Sequence, residues 1–350
     1  MKKTTILSLL ALLCISFVSA QSGITLPQAS QKVSIMQTIG LTEMSITYSA
    51  PSVNERTVWG NMVPMGQVWR AGANENTVVS FSHEVEIEGK TLAAGTYGLH
   101  MIPSENDWTI IFSKNASSWG SYFYQEGEDA LRATVSPKAI DHIEILQYRF
   151  VEPTVESVSL VMEWEKVQIP INISVNTHEI VIANAKEELR STAAFTWMGP
   201  YQIANYCLQN DTHLDEALEW IDRSISTGWG AQPNYTNVST KAQILEKLNR
   251  PEEAKEAWAM AVDNANEFER YQHGTRLISL EQNEAAMSHF KASAEIYPDT
   301  WLTHAGLGAA YRVNGDLKAA LKHYEKSLEG APSQWKPGLE ARIKTVKESM

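Results

Sequence analysis

Arg70, Asn74 and Glu75 lie within one nonamer, Trp69-Arg70-Ala71-Gly72-Ala73-Asn74-Glu75-Asn76-Thr77, between apolar strand-like segments. A guanidinium forks onto a carboxylate or phosphate, and an Asn amide both donates and accepts. With Arg56 and Lys114 as further cations and Trp119 as a nearby ring, these residue types suit a small polar or anionic ligand. A second reading competes with the first. Arg70 pairs with Glu75, Asn74 holds a turn, and Gly72 and Asn74 supply left-handed backbone, because a long polar loop must satisfy its own polar groups to be ordered. The second reading is the preferred one, and it expects removal of either charge to lower stability.

The remaining chemistry-bearing residues form no reaction signature. Trp59, Trp69, Trp108 and Trp119, with Tyr122, Phe123 and Tyr124, are enough rings for a sugar-stacking platform, yet sandwich packing is the more economical expectation for them. His83, His100, His142 and His178 lack metal-ligand spacing; for His83 and His100 a solvated or hydrogen-bonded surface role is expected in preference to a meeting across strands. A calcium loop, a Gly-x-Ser-x-Gly elbow and a phosphate-cradling glycine loop are all missing from the sequence. No catalytic residue, metal or cofactor is therefore assigned. A hydrolase working through the Arg70–Glu75 loop on an envelope or dietary polymer is the alternative to a binding protein.

Composition supplies an address. Hydrophobic content of 43% and charged content of 20% describe folded globular material. Residues 1–20 look like an export signal: Lys2 and Lys3, an apolar run over 6–18, and Val18-Ser19-Ala20 at the cleavage point. Periplasmic or extracellular location follows as an expectation. Cys14 would suit a lipoprotein, but Leu13 before it is larger than such signals use. Loss of Lys2 and Lys3 takes the formal charge from -12 to -14, which disfavours nucleic acid and anionic membranes as partners. Cleavage also leaves Cys207 alone, read as a buried filler.

Period-two alternation positions the loop. Met44, Ile46 and Tyr48 alternate with polar residues, as do Val85 and Ile87, then Tyr97, Leu99 and Met101, then Trp108, Ile110 and Phe112. Val158 to Trp164 on even positions, and Val167 to Val175 on odd ones, read as two further strands. Glu88-Gly89-Lys90 is a tight hairpin turn and residues 103–107 a longer one. A sandwich of eight or more strands is expected.

Four pieces of this half carry a resemblance: Pro51-Ser52-Val53 with Arg56-Thr57 and Gly60; Val63-Pro64, Gly66 and Val68 leading into the Trp69 to Glu75 run; Leu92, Ala94-Gly95-Thr96-Tyr97 and Ile102-Pro103; and Trp108 to Phe112 with Lys114-Asn115 and Trp119-Gly120. In that order they resemble the exported bacterial family known as domain of unknown function 2911, over about residues 30–175. Ala71 departs from the Thr more usual there. The resemblance implies fold and export, and no reaction.

Near Thr177 alternation gives way to helical spacing. Leu307, Gly308, Tyr311, Ala320, Tyr324 and Pro332 repeat, 34 residues on, the pattern of Gly274, Leu277, Ala286, Phe290 and Pro298. Ala254, Trp258 and Ala261 follow the second-helix pattern, and Ala217, Ile221 and Ser224 do so more weakly. The pattern resembles tetratricopeptide repeats, whose grooves are lined by the first helix of each unit. Carried over by position, the groove would include Ile203, Tyr206, Gln243, Tyr271, Thr275, Ala309 and Arg312.

The expected architecture is thus a signal at 1–20, a leader at 21–30, an all-β sandwich at 31–176, about four all-α tetratricopeptide-like repeats at 185–334 and a capping helix at 337–350. The expected function is an exported binding or scaffolding module. Its repeats would hold a protein or peptide, with a stabilising tail packed on the sandwich as an equally weighted reading of the array, and its sandwich would take a small polar ligand.

Overall fold

The computed structural model describes residues 26–350. The segment expected to be an export signal, with Cys14 in it, lies outside the described residues. The chain divides into two units, the first ending at Thr177 and the second starting at His178.

Among the described residues, ten strands build the first unit: β1 (Gln31–Ile39), β2 (Thr42–Ala50), β3 (Thr77–Phe81), β4 (Val85–Ile87), β5 (Lys90–Leu92), β6 (Gly95–Ile102), β7 (Trp108–Ser113), β8 (Asp129–Val135), β9 (Lys138–Val151) and β10 (Ser157–Ser174). They form two antiparallel sheets, ordered β1-β2-β3-β6-β7-β8 and β5-β4-β10-β9. Alternation predicts the inward faces: Met44, Ile46, Leu99, Met101, Ile110 and Phe112 from one sheet and Leu160, Met162, Ile169 and Ile171 from the other are fully buried. Trp59, Trp69, Trp108 and Trp164 join them as one cluster, Trp69 stacked on Trp164 and the Trp59 ring edge-on to the other three. The β4–β5 turn has left-handed backbone at both Glu88 (φ 48°) and Gly89 (φ 73°), as a two-residue hairpin with right-handed strand twist requires.

The two strands expected between Val158 and Val175 are one. Alternation changes parity after Trp164, and the register against β9 shifts between Glu163 and Val167, with Glu165 at φ 54°. The extra residues form a bulge in β9, where Gln147, Ile143 and Ala139 oppose Glu163, Glu165 and Val167. The left-handed Glu165 breaks the alternation of β10, so that both the even and the odd apolar sets face the core. Beside the bulge, the buried Glu163 carboxylate accepts from Arg149 Nη2 (2.7 Å) and Nε (2.9 Å), and from Gln147 and Gln168 (2.8 Å each). The Arg149 bonds lower its pKa to about 2.

The second unit is helical: α1 (Thr177–Glu188), α2 (Met198–Asn210), α3 (Leu214–Asp222), α4 (Tyr235–Lys247), α5 (Pro251–Asp263), α6 (Glu267–Ser279), α7 (Asn283–Ile296), α8 (Trp301–Val313), α9 (Leu317–Gly330) and α10 (Lys336–Glu348). The segment expected as a boundary is helical from Thr177 onward. Capping sets the starts: Asn234 and Asn266 form reciprocal boxes with Asn237 and Glu269, and Thr300 and Asp316 accept from backbone N–H groups three residues on. Ala217, Ala254, Ala286 and Ala320, all buried, let paired helices close up. Glycine does so where the next side chain is aromatic. A Cβ on Gly274 would sit 2.3 Å from the Phe290 ring, and one on Gly308 2.7 Å from the Tyr324 ring. Cys207 is fully buried in the core of the first helices, and burial pushes its thiol up to about 11, so it is inert filler.

Candidate functional site

The Trp69–Thr77 loop is tied inward. Trp69 exchanges backbone hydrogen bonds with Met101 (2.8 Å each) and its indole donates to Gly72 O (3.1 Å). Ala71, fully buried at φ 51°, has its carbonyl accepting from both Thr77 Oγ1 (3.1 Å) and Tyr148 OH (2.8 Å). Left-handed backbone falls on Ala71 and Asn74, not on Gly72 as expected. Gly72 is needed for close approach instead, since a Cβ there would meet Thr77 Oγ1 at 2.7 Å. Asn74 holds the turn and donates to Gln28 Oε1 (2.7 Å) and Ser30 O (3.2 Å).

The expected Arg70–Glu75 pair does not form. Among the described residues neither side chain makes an ion pair, and Arg70 Nε is buried without a hydrogen-bond partner. Arg70 turns away from its own loop toward residues 119–124. A Cβ on Gly120 (φ 62°) would lie 2.1 Å from Arg70 Nη1, so only glycine lets the guanidinium in. Together with Pro64, Gln67, Val68, Trp69, Ser121 and Tyr122, Arg70 lines a pocket of about 320 Å³.

The other residues expected at this site lie apart from that pocket. Arg56 donates to Val53 O (3.0 Å) and Ser52 O (2.6 Å), Lys114 is exposed, and Asn74 and Glu75 do not line it. Trp119 lies beside the lining segment, half-exposed, in the same loop. Packing was the expectation for the residue 119–124 aromatics, but Trp119, Tyr122 and Phe123 are 50%, 79% and 65% exposed. Gln67 and Ser121 had no place in the expected ligand set, and Tyr122 entered only as one ring of a stacking platform set behind packing. The glycine and serines around the aromatic cluster were the sequence signal for a loop that opens there.

Beneath this loop the polar groups are tightly arranged. His100, expected at the surface, is 2% exposed, and its Nδ1 shares a 2.9 Å hydrogen bond with Ser121 Oγ. Burial lowers its pKa to about 4. An imidazole that weak takes a proton with little driving force at neutral pH, so the contact orients Ser121 rather than activating it. Tyr124 OH donates to Asp129 (2.8 Å), and Arg132 donates to both, at 2.6 Å each. These bonds anchor the far end of the loop. Among the described residues, no group of three or more His, Cys, Asp or Glu side chains is placed to hold a metal ion.

In the helical unit the expected groove residues separate into two groups. Thr275, Ala309 and Arg312 line one pocket of about 330 Å³, with Ile278, Tyr324, Ala341, Arg342 and Thr345. Tyr271 borders it from α6, its hydroxyl accepting from Arg342 Nη1 (2.9 Å). Ile203 and Tyr206 lie elsewhere, in a pocket of about 210 Å³ between α1 and α2, where Ile203 is core. Gln243 lines neither pocket and bonds its own helix at Ser239 O (3.2 Å). The contribution of α10 was missed: the helix read as a cap supplies Arg342 and Thr345 to the pocket wall. No helix among the described residues is long and apolar enough to cross a membrane.

No curated protein matches the chain. Among solved structures, its helical half is similar to YrrB, a TPR protein with an unusual peptide-binding site (20% identity, 49% of this chain and 84% of that one, TM-score 0.32). It is also similar to a thermophilic TPR protein of Thermus thermophilus (18% identity, 49% and 90%, TM-score 0.32) and to a tetratricopeptide repeat protein from Parabacteroides merdae (16% identity, 49% and 64%, TM-score 0.34). The N-terminal half, residues 30–173, matches the family model described as "Protein of unknown function (DUF2911)", and a helical repeat region follows it.

Proposed function

We propose that the chain is an exported binding or scaffolding protein whose helical unit holds a partner's peptide segment by a carboxylate, in the pocket between α6, α8 and α10. The observation that carries this reading is the pair Arg312 and Arg342, from different helices, lining one pocket with Thr275, Thr345 and Tyr324. The Thr275 and Thr345 hydroxyls already donate to Gln272 O (2.8 Å) and Ala341 O (3.1 Å), so the two guanidiniums, which only donate, are what suits this wall to an anion. Local charge supports it. Residues 312–350 hold eight Lys or Arg against five Asp or Glu, whereas the whole chain holds 29 against 41. An acidic peptide is thereby drawn to this end of an otherwise acidic protein.

An array of hexapeptides, each made with a free C-terminal carboxylate and as its amide, tests the reading on the full chain. We expect carboxylate forms to bind better than amides. Arg312→Ala and Arg342→Ala should each weaken binding roughly tenfold, the size of one charge-assisted hydrogen bond. Equal binding of acid and amide forms, unaffected by either substitution, contradicts it.

Export rests on Lys2 and Lys3, the apolar run of residues 6–18 and Val18-Ser19-Ala20. Mass spectrometry of the protein from its native source should find a mature chain beginning at Gln21. A chain beginning at an acylated Cys14 would make it a lipoprotein instead.

A further inference from the structure

We propose that the Arg70 pocket of the sandwich is a separate binding site for a small monoanion carrying a ring that can stack on an aromatic side chain, an aryl or sugar carboxylate. Arg70 is the anchor. Its Nε is buried without a hydrogen-bond partner, and among the described residues no carboxylate pairs with the guanidinium, which lines the pocket as an uncompensated cation. Its neighbours leave it in place: Gly120 gives way for Nη1, and Glu75, the nearest opposite charge in sequence, is not paired with it. Ser121, fixed through its bond to the buried His100, adds a hydroxyl to the same wall, and Gln67 adds an amide.

Charge and shape narrow the ligand. One guanidinium, with no other cation lining the pocket, balances one negative charge, so a carboxylate suits it better than a phosphate dianion in a protein of net charge -12. The volume of about 320 Å³ is in the range of sites for small organic molecules. Tyr122 lines the pocket at 79% exposure, leaving apolar surface in water that a ring stacked on it would cover. Trp119 and Phe123, exposed on the same loop, extend that surface.

The test is saturation-transfer NMR on the full chain with four probes at millimolar concentration: benzoate, glucuronate, phenyl phosphate and benzamide. We expect signal from benzoate or glucuronate, the stronger of the two identifying the ring as aryl or sugar, and little from benzamide. Arg70→Met should abolish it. Arg70→Lys keeps the charge without the fork and should weaken binding at least tenfold, and Tyr122→Ala, at an exposed position, severalfold. Melting curves establish that each variant is folded. Should Arg70→Met fail to fold, the Arg70→Lys and Tyr122→Ala results decide. The proposal is overturned by no carboxylate signal, by phenyl phosphate or benzamide binding best, or by carboxylate binding that folded Arg70 variants leave unchanged.

Discussion

Acidification from pH 6.5 to 4 should remove stability from both units. His100 in the sandwich and His273 in the helical unit are 2% and 6% exposed, and burial lowers each to a pKa of about 4 from 6.5. His289, against His273, and the His304–His323 pair are lowered in the same direction, again by burial. Each histidine is held neutral when folded and takes up a proton more readily when unfolded. Stability is therefore complete above 6.5, falls as pH drops from there, and levels off below the folded value. For His100 and His273 the loss is roughly 3 kcal/mol apiece, since each tenfold drop in proton affinity corresponds to about 1.4 kcal/mol. Glu163 acts in a lower window. Its folded pKa of about 2 lies below the ordinary 4.5, so its contribution is present above 4.5 and is lost from there down to 2. Urea denaturation across this range, with His100→Asn and His273→Phe as variants, checks the prediction. Each substitution should flatten the pH dependence of its own unit, and a wild-type profile already flat between 6.5 and 4 would refute it.

Gly274→Val and Gly308→Val should each destabilise the helical unit by about 3 kcal/mol, the upper part of the range for overpacking. The Cβ at Gly274 falls 2.3 Å from Phe290 Cζ and 2.6 Å from both Cε atoms, and Phe290 is itself 2% exposed, with no space to retreat into. Gly308 presses on the buried Tyr324 in the same way. Gly338 in α10 is the control, since a Cβ there meets nothing within 4 Å. Gly338→Ala should stabilise by roughly 0.5–1 kcal/mol through helix propensity alone. Thermal denaturation followed at helical wavelengths separates the three. Equal effects at all three sites would mean that the glycines answer to propensity and not to ring packing.

The spacing of these glycines and aromatics made the helical repeats legible, because a 34-residue recurrence of small and ring residues encodes helix approach directly. Alternation served the sandwich equally well for half-buried strands such as β2 and β6. It failed at β9, an edge strand with mostly exposed side chains, and at β10, where left-handed backbone at Glu165 changed parity and made one strand look like two. The site was legible only in part. Arg70 was singled out for its charge, but proximity in sequence suggested Glu75 as its partner. Its real neighbour, Gly120, is fifty positions away, and only the sheet order brings it near. His100 misled for a related reason: strand parity places it opposite the core, and the residue 114–125 loop that covers that face has no periodicity to announce it. Arg342 was passed over because a terminal helix reads as a cap until it is seen to line a pocket.

If the helical unit takes its partner between α6, α8 and α10, those helices are the ones a bound peptide must protect. Hydrogen exchange of the full chain, with and without the tightest carboxylate hexapeptide, reads this out. Exchange should slow in these three helices, around Thr275, Ala309 and Arg342, with the α1–α2 pocket and the sandwich unchanged. Protection at α1 and α2, or in the sandwich alone, would place the partner elsewhere and end the proposal.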